Sequence, residues 1–166
     1  LKRLSLLAGS VAAANALLPL FENNYARAQI VPKDDPRLFT ESVKYPGATG
    51  DVRAALARPK ADAKLPAVIV VHENRGLNTH IEDVTRRVAL EGFLALAPDA
   101  LSPVGGTPPD ETKAIDMIGQ LDMKSTISNF GAAVKYLKTH PMSTGKVGVV
   151  GFCWGGAMAN QLAVNA

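Results

Sequence analysis

The chain has 166 residues, of which 47% are hydrophobic and 20% charged, with a formal net charge of +3. That length suits one globular domain, and the composition is neither disordered nor fibrous. Lys2, Arg3, Arg27 and Glu22 all fall in the first 28 residues, so the remainder carries 15 basic and 14 acidic residues and a basic nucleic-acid-binding surface is not expected.

Lys2-Arg3, the apolar stretch LSLLAGSVAAANALLPL and Ala26-Arg27-Ala28 form the positive end, apolar run and small-residue cleavage site of a secretory signal. The alternative is a membrane anchor or a buried helix, but Pro19 interrupts the run and Glu22 closes it, which is short for a span. We expect residues 1–28 to be removed and the protein exported, with no stable membrane association afterwards. The first residue is Leu1, and Ala166 falls inside an apolar helical pattern without a stop signal, so the sequence reads as a fragment.

Residues 29–38 read as a linker. Phe39 to Pro46 and Val52 to Pro59 alternate like two edge strands joined through Gly47 to Gly50. Ala67 to Val71 is a continuous apolar run, which predicts a strand covered on both faces. From Thr79, Ile81, Val84, Val88 and Leu90 recur among charged residues, predicting an amphipathic helix that ends at Gly92. Phe93 to Ala97 is a second buried strand, ended by Pro98-Asp99, and Ser102 to Asp110 is a loop. Lys124 to Leu137 reads as a helix, Lys146 to Val150 as a third buried strand, and Trp154 to Val164 as a closing helix. Strands alternating with helices predict an α/β fold with a mostly parallel sheet flanked by helices.

The most specific segment is Gly151-Phe152-Cys153-Trp154-Gly155-Gly156, between a predicted strand and a predicted helix. It has the spacing of a nucleophile elbow with cysteine in the serine position. In such a strained turn, neighbouring backbone approaches so closely that side chains at 151 and 155 would clash. Cys153 would project at the amino end of a helix, where the dipole favours a thiolate, and the Trp154 N–H would serve as an oxyanion donor. The competing reading is a close-packed glycine turn around an inert buried cysteine. A dinucleotide site is disfavoured because Gly148, Gly151 and Gly155 do not fit the G-x-G-x-x-G spacing.

His72-Glu73-Asn74-Arg75-Gly76-Leu77 follows the first buried strand, and loops at the carboxyl ends of parallel strands are where such sheets bind ligands. A metalloprotease helix would need a histidine at position 76, which is Gly76. The loop offers the Asn74 N–H as a second oxyanion donor and the Glu73 carboxylate near the thiol. The alternative for Glu73 is a structural ion pair with Arg75 or another nearby cation. His72 belongs to the strand end and is expected to support the loop, His80 and His140 read as structural or solvated, and Asp99 reads as a turn residue. No metal or organic cofactor is implied.

On these two segments, with Ala97-Pro98-Asp99 and Thr144-Gly145-Lys146-Val147-Gly148, the chain from about Phe39 to Ala166 resembles the dienelactone hydrolase family of α/β-hydrolases. The resemblance implies hydrolysis of a lactone or small ester, with Cys153 attacking the carbonyl, Glu73 helping to form the thiolate, and Asn74 and Trp154 forming the oxyanion hole. It also implies an aspartate and a histidine well beyond the elbow, whereas the sequence ends 13 residues after Cys153, so the piece is expected to be inactive by itself and to leave an apolar sheet edge open. Family members that hold a substrate carboxylate use arginines, one of them in the region matching Leu101 to Met123, which has none here; Arg75 is the remaining candidate. The other functional class is a binding or redox-sensing protein using Cys153 as a reactive thiol without turnover. The sequence does not indicate the oligomeric state.

Overall fold

A computed structural model describes residues 29–165. The expected signal segment, residues 1–28, and Ala166 lie outside the described residues. Within them the order is β1 (Leu38–Gly47), β2 (Gly50–Pro59), β3 (Leu65–Val71), α1 (Thr79–Leu90), β4 (Leu94–Pro98), a 3₁₀ turn (Ser102–Val104), α2 (Glu111–Gly119), α3 (Met123–Thr139), β5 (Ser143–Gly151) and α4 (Trp154–Asn165).

The five strands form one sheet in the order β1-β2-β4-β3-β5. The β1–β2 hairpin is antiparallel, with Leu38 opposite Pro59 and Gly47 opposite Gly50. β2 is antiparallel to β4, while β3 runs parallel to both β4 and β5. The mixed sheet follows from the connections: a hairpin needs only a tight turn, whereas each parallel step crosses over through a helix. The expected α/β architecture is thus present, with the antiparallel pairs confined to the β1–β2 side.

Apolar residues on both faces of β3 and β4 cannot be satisfied by a single layer, so helices cover both sides. On one side Ile69, Val71 and Leu96 pack with Phe130, Ala133 and Leu137 of α3 and with Met158 and Leu162 of α4. On the other, Val70 and Ala97 meet Ile81 and Val84 of α1. Burying one such branched side chain contributes about 1.5–3 kcal/mol relative to exposure. β5, expected to be a buried strand, is half-exposed, and it is the open sheet edge also expected from the sequence. It stands at the edge of the described sheet, so only β3 flanks it.

Helix α2 is the element not foreseen. Its buried face is only Ala114 and Ile118, too little for a periodic pattern, and it starts because the Asp110 carboxylate accepts the Thr112 and Lys113 N–H groups. Residues 29–37 form no helix or strand, yet they are fastened to α1. Asp83 accepts the N–H groups of Ile30 and Val31, and Arg86 donates Nε–H to the Val31 carbonyl. Among the described residues no helix is long and apolar enough to cross a membrane.

Candidate active site

β5 delivers Cys153 and β3 delivers the facing loop. The strands are paired with Val71 opposite Gly151, so residues 72–74 leave one strand beside residues 152–154 leaving the next. The elbow and the His72–Leu77 loop are therefore neighbours, as their sequence positions suggested.

Cys153 has φ +53°, the left-handed region, and is the sole non-glycine so placed among the described residues. This costs a side-chain-bearing residue of order 1–2 kcal/mol and persists where the surroundings impose it. Here the helix imposes it: Gly155 N–H donates to the Phe152 carbonyl at 2.8 Å, and Gly156 N–H to the Cys153 carbonyl at 3.0 Å. Both flanking glycines are sterically required. A Cβ on Gly151 would overlap the Gly155 carbonyl, and one on Gly155 would overlap the carbonyl oxygens of Val71 and His72. The close-packed turn and the elbow are thus one structure. The inert buried thiol is not found, because Cys153 is exposed.

The N–H groups of Gly155, Gly156 and Ala157 are used in the turn, whereas those of Trp154 and Asn74 donate no turn or cap bond among the described residues. The Glu73 carboxylate is half-buried and forms no ion pair or hydrogen bond among the described residues, to Cys153 or to any other group. Arg75 instead lies with its Nε 3.4 Å from the Glu111 carboxylate at the start of α2, so the Glu73–Arg75 pair weighed from the sequence is not the arrangement present.

Three residues organise the site: His72, read from the sequence as a support of the loop, Asp99, read as a turn residue, and Thr107, which sequence reasoning did not consider. His72 is fully buried; its Nε2 accepts the Ala100 N–H at 3.1 Å, which leaves the proton on Nδ1 to be donated to the Glu73 carbonyl at 2.6 Å. Burial lowers its pKa below the usual value and keeps the ring neutral. The imidazole stacks on Trp154, with ring centroids 5.3 Å apart and planes 9° from parallel. Asp99, buried after β4, accepts the Leu101 and Thr107 N–H groups and the Thr107 hydroxyl. The same hydroxyl accepts the Leu77 N–H at 2.9 Å and lies against Gly76, whose φ of +74° admits no ordinary side chain. The turn role expected of Asp99 is present. Thr107, which joins that turn to the candidate site loop, gives no sequence signal.

Neither of two surface cavities is lined by Cys153 or Glu73: one of about 430 Å³ lies between α1 and the β1–β2 hairpin, the other of about 990 Å³ between α3 and α4. Among the described residues the Cys153 thiol is exposed. No cluster of metal-ligating side chains occurs among the described residues.

Residues 52–166 match the description "Dienelactone hydrolase family". The chain belongs to that family. A candidate hydrolase fragment of Escherichia coli K12, YghX, is 50% identical over 112 residues, covering 66% of this chain and 96% of that protein. Carboxymethylenebutenolidase of Pseudomonas putida is 30% identical over 129 residues, covering 74% of this chain and 55% of the enzyme. Among solved structures, a candidate dienelactone hydrolase of Klebsiella pneumoniae is 28% identical with a TM-score of 0.69, over 78% of this chain and 55% of that one. The chain thus spans nearly all of the E. coli fragment and about half the length of the other curated relatives it matches. The fold is that of the α/β-hydrolases, and the family is one of lactone and ester hydrolases.

Proposed function

We propose that the protein hydrolyses a lactone or small carboxylic ester through an acyl-cysteine intermediate on Cys153. The observation that carries this reading is the strained, exposed Cys153 at the end of β5, beside two N–H groups left free of turn bonds, on Trp154 and Asn74. Strained non-glycine residues of this kind cluster at active sites and ligand clamps, which supports a presented nucleophile here.

In the proposed sequence Glu73 accepts the thiol proton and the Cys153 sulfur attacks the carbonyl carbon. The carbonyl π electrons move to oxygen, where the Asn74 and Trp154 N–H groups stabilise the charge. When they return, the C–O bond to the alcohol breaks and the acyl-cysteine remains. The departing oxygen needs a proton, and water must then be activated to release the acid. Both are tasks for a histidine oriented by an aspartate, which the family resemblance places in sequence beyond residue 166. Arg75 is proposed to hold a substrate carboxylate, a role for which it must leave Glu111; neutral esters and lactones need no such exchange. The leader-like residues 1–28 support export to the periplasm or outside the cell.

The test is hydrolysis of p-nitrophenyl acetate by the full-length protein with and without Cys153→Ala. Activity should fall by about 10³-fold or more. If an intact protein is inactive throughout while its Cys153 oxidises readily, the thiol-sensing reading replaces this one.

A further inference from the structure

The proposed reaction makes no use of His72, although it is the most buried titratable group beside the site and contacts both halves of it. We propose that His72 is the positioning residue of the oxyanion hole, holding the Asn74 and Trp154 donors in one frame; this inference rests on the hydrolysis proposed above.

The Glu73 carbonyl and the Asn74 N–H belong to the same planar, trans peptide unit, so they point in opposite directions. When Nδ1–H of His72 holds that carbonyl toward the protein interior at 2.6 Å, the Asn74 N–H is turned away from His72, where no turn bond uses it. The ring that performs this task is held on its other side by the Ala100 N–H after β4. It also stacks flat on the side chain of Trp154, whose own N–H is the second donor, and meets Phe130 of α3 edge-on at 6.5 Å. One imidazole thus links the ends of β3 and β4 with the start of α4. A purely space-filling residue would satisfy the packing but leave the Glu73 carbonyl without its short bond and the buried Ala100 N–H without an acceptor.

A hydrogen-bonding role in the hole can be separated from a general structural one by comparing an ester with its thionoester, because a C=S sulfur is a much weaker acceptor than a C=O oxygen. In the full-length protein, His72→Phe retains a ring against Trp154 and removes both hydrogen bonds. We expect kcat on the ester to fall about 10- to 100-fold with little change in KM, since a single oxyanion donor is worth about 10²–10³. The thionoester should lose far less, so the ester-to-thionoester ratio drops, while alkylation of Cys153 by iodoacetamide, which develops no oxyanion, keeps its rate. His72→Asn places an amide N–H near the Nδ1 position and should return the ratio toward wild type. Should His72→Phe not fold, Trp154→Leu, which keeps the backbone N–H and removes the stacked ring, should lower the ratio in the same direction. A folded variant in which both substrates decline equally, or neither declines, overturns the inference while the acyl-cysteine reaction stands. Hydrolysis that survives Cys153→Ala overturns the reaction, and this inference with it.

Discussion

Two adjacent glycines at the start of α4 should respond to alanine with opposite signs. At Gly155 the added Cβ would overlap two backbone carbonyl oxygens, those of Val71 and His72. Neither belongs to a side chain that can rotate away, so α4 must shift relative to β3. Overpacking of this kind costs about 1–3 kcal/mol, and contacts with backbone on a central strand belong at the upper end. The intrinsic helix preference of alanine over glycine returns about 1 kcal/mol, leaving Gly155→Ala destabilised by about 2 kcal/mol. At Gly156 the nearest atom to the added Cβ is the Gly151 carbonyl oxygen at 3.5 Å, an ordinary contact. There the helix preference acts alone, and Gly156→Ala should be stabilised by about 0.5–1 kcal/mol. Equilibrium denaturant unfolding of both variants measures the gap directly, and ester hydrolysis reports whether the shift of α4 carries Cys153 with it. Equal stability of the two variants would refute the claim that backbone approach, not helix formation, fixes glycine at 155.

Other substitutions probe the supports. Thr107→Val removes one hydroxyl that donates to Asp99 and accepts from Leu77, and should cost about 1–2 kcal/mol in unfolding experiments, with faster amide exchange in residues 73–77. Asp83→Ala leaves Arg86 buried without its carboxylate and releases Ile30 and Val31; a loss of about 3 kcal/mol and early proteolysis near residue 31 are expected. His72 is neutral in the fold, but its unfolded form gains a proton below about pH 6.5. The unfolded chain then binds more protons, so stability is full above that pH and declines as pH falls, by at most about 1.4 kcal/mol per unit from this residue. His140, also lowered by partial burial, adds to the same slope. His72→Phe should flatten the dependence, read from denaturation midpoints between pH 5 and 7; an unchanged slope would show that His72 does not supply it.

The sequence speaks most clearly where one residue's chemistry depends on its immediate neighbours. Gly151 and Gly155 around Cys153 are required by contacts within a few residues or with the adjoining strand, and the spacing alone pointed to the elbow. The buried runs of β3 and β4 were legible because both faces are covered. Lys146 to Val150 of β5 is largely apolar as well, yet its exposure depends on which strands flank it, a property of the whole sheet. Helix α2 escaped notice because two buried residues make no periodicity and its capping aspartate follows a proline-rich loop. His72 and Thr107 combine near partners, Glu73 and Asp99, with distant ones, Ala100, Trp154 and Leu77, 28 to 82 residues away, and no local pattern encodes the distant pairings.

The most direct measurement is peptide mass spectrometry of the protein quenched within the first turnovers on p-nitrophenyl acetate. The account predicts an acetyl group on the peptide containing Cys153, released by neutral hydroxylamine and accompanied by a stoichiometric burst of p-nitrophenolate. Hydrolysis that proceeds with no adduct at Cys153, or with the acetyl group on another residue, would contradict it.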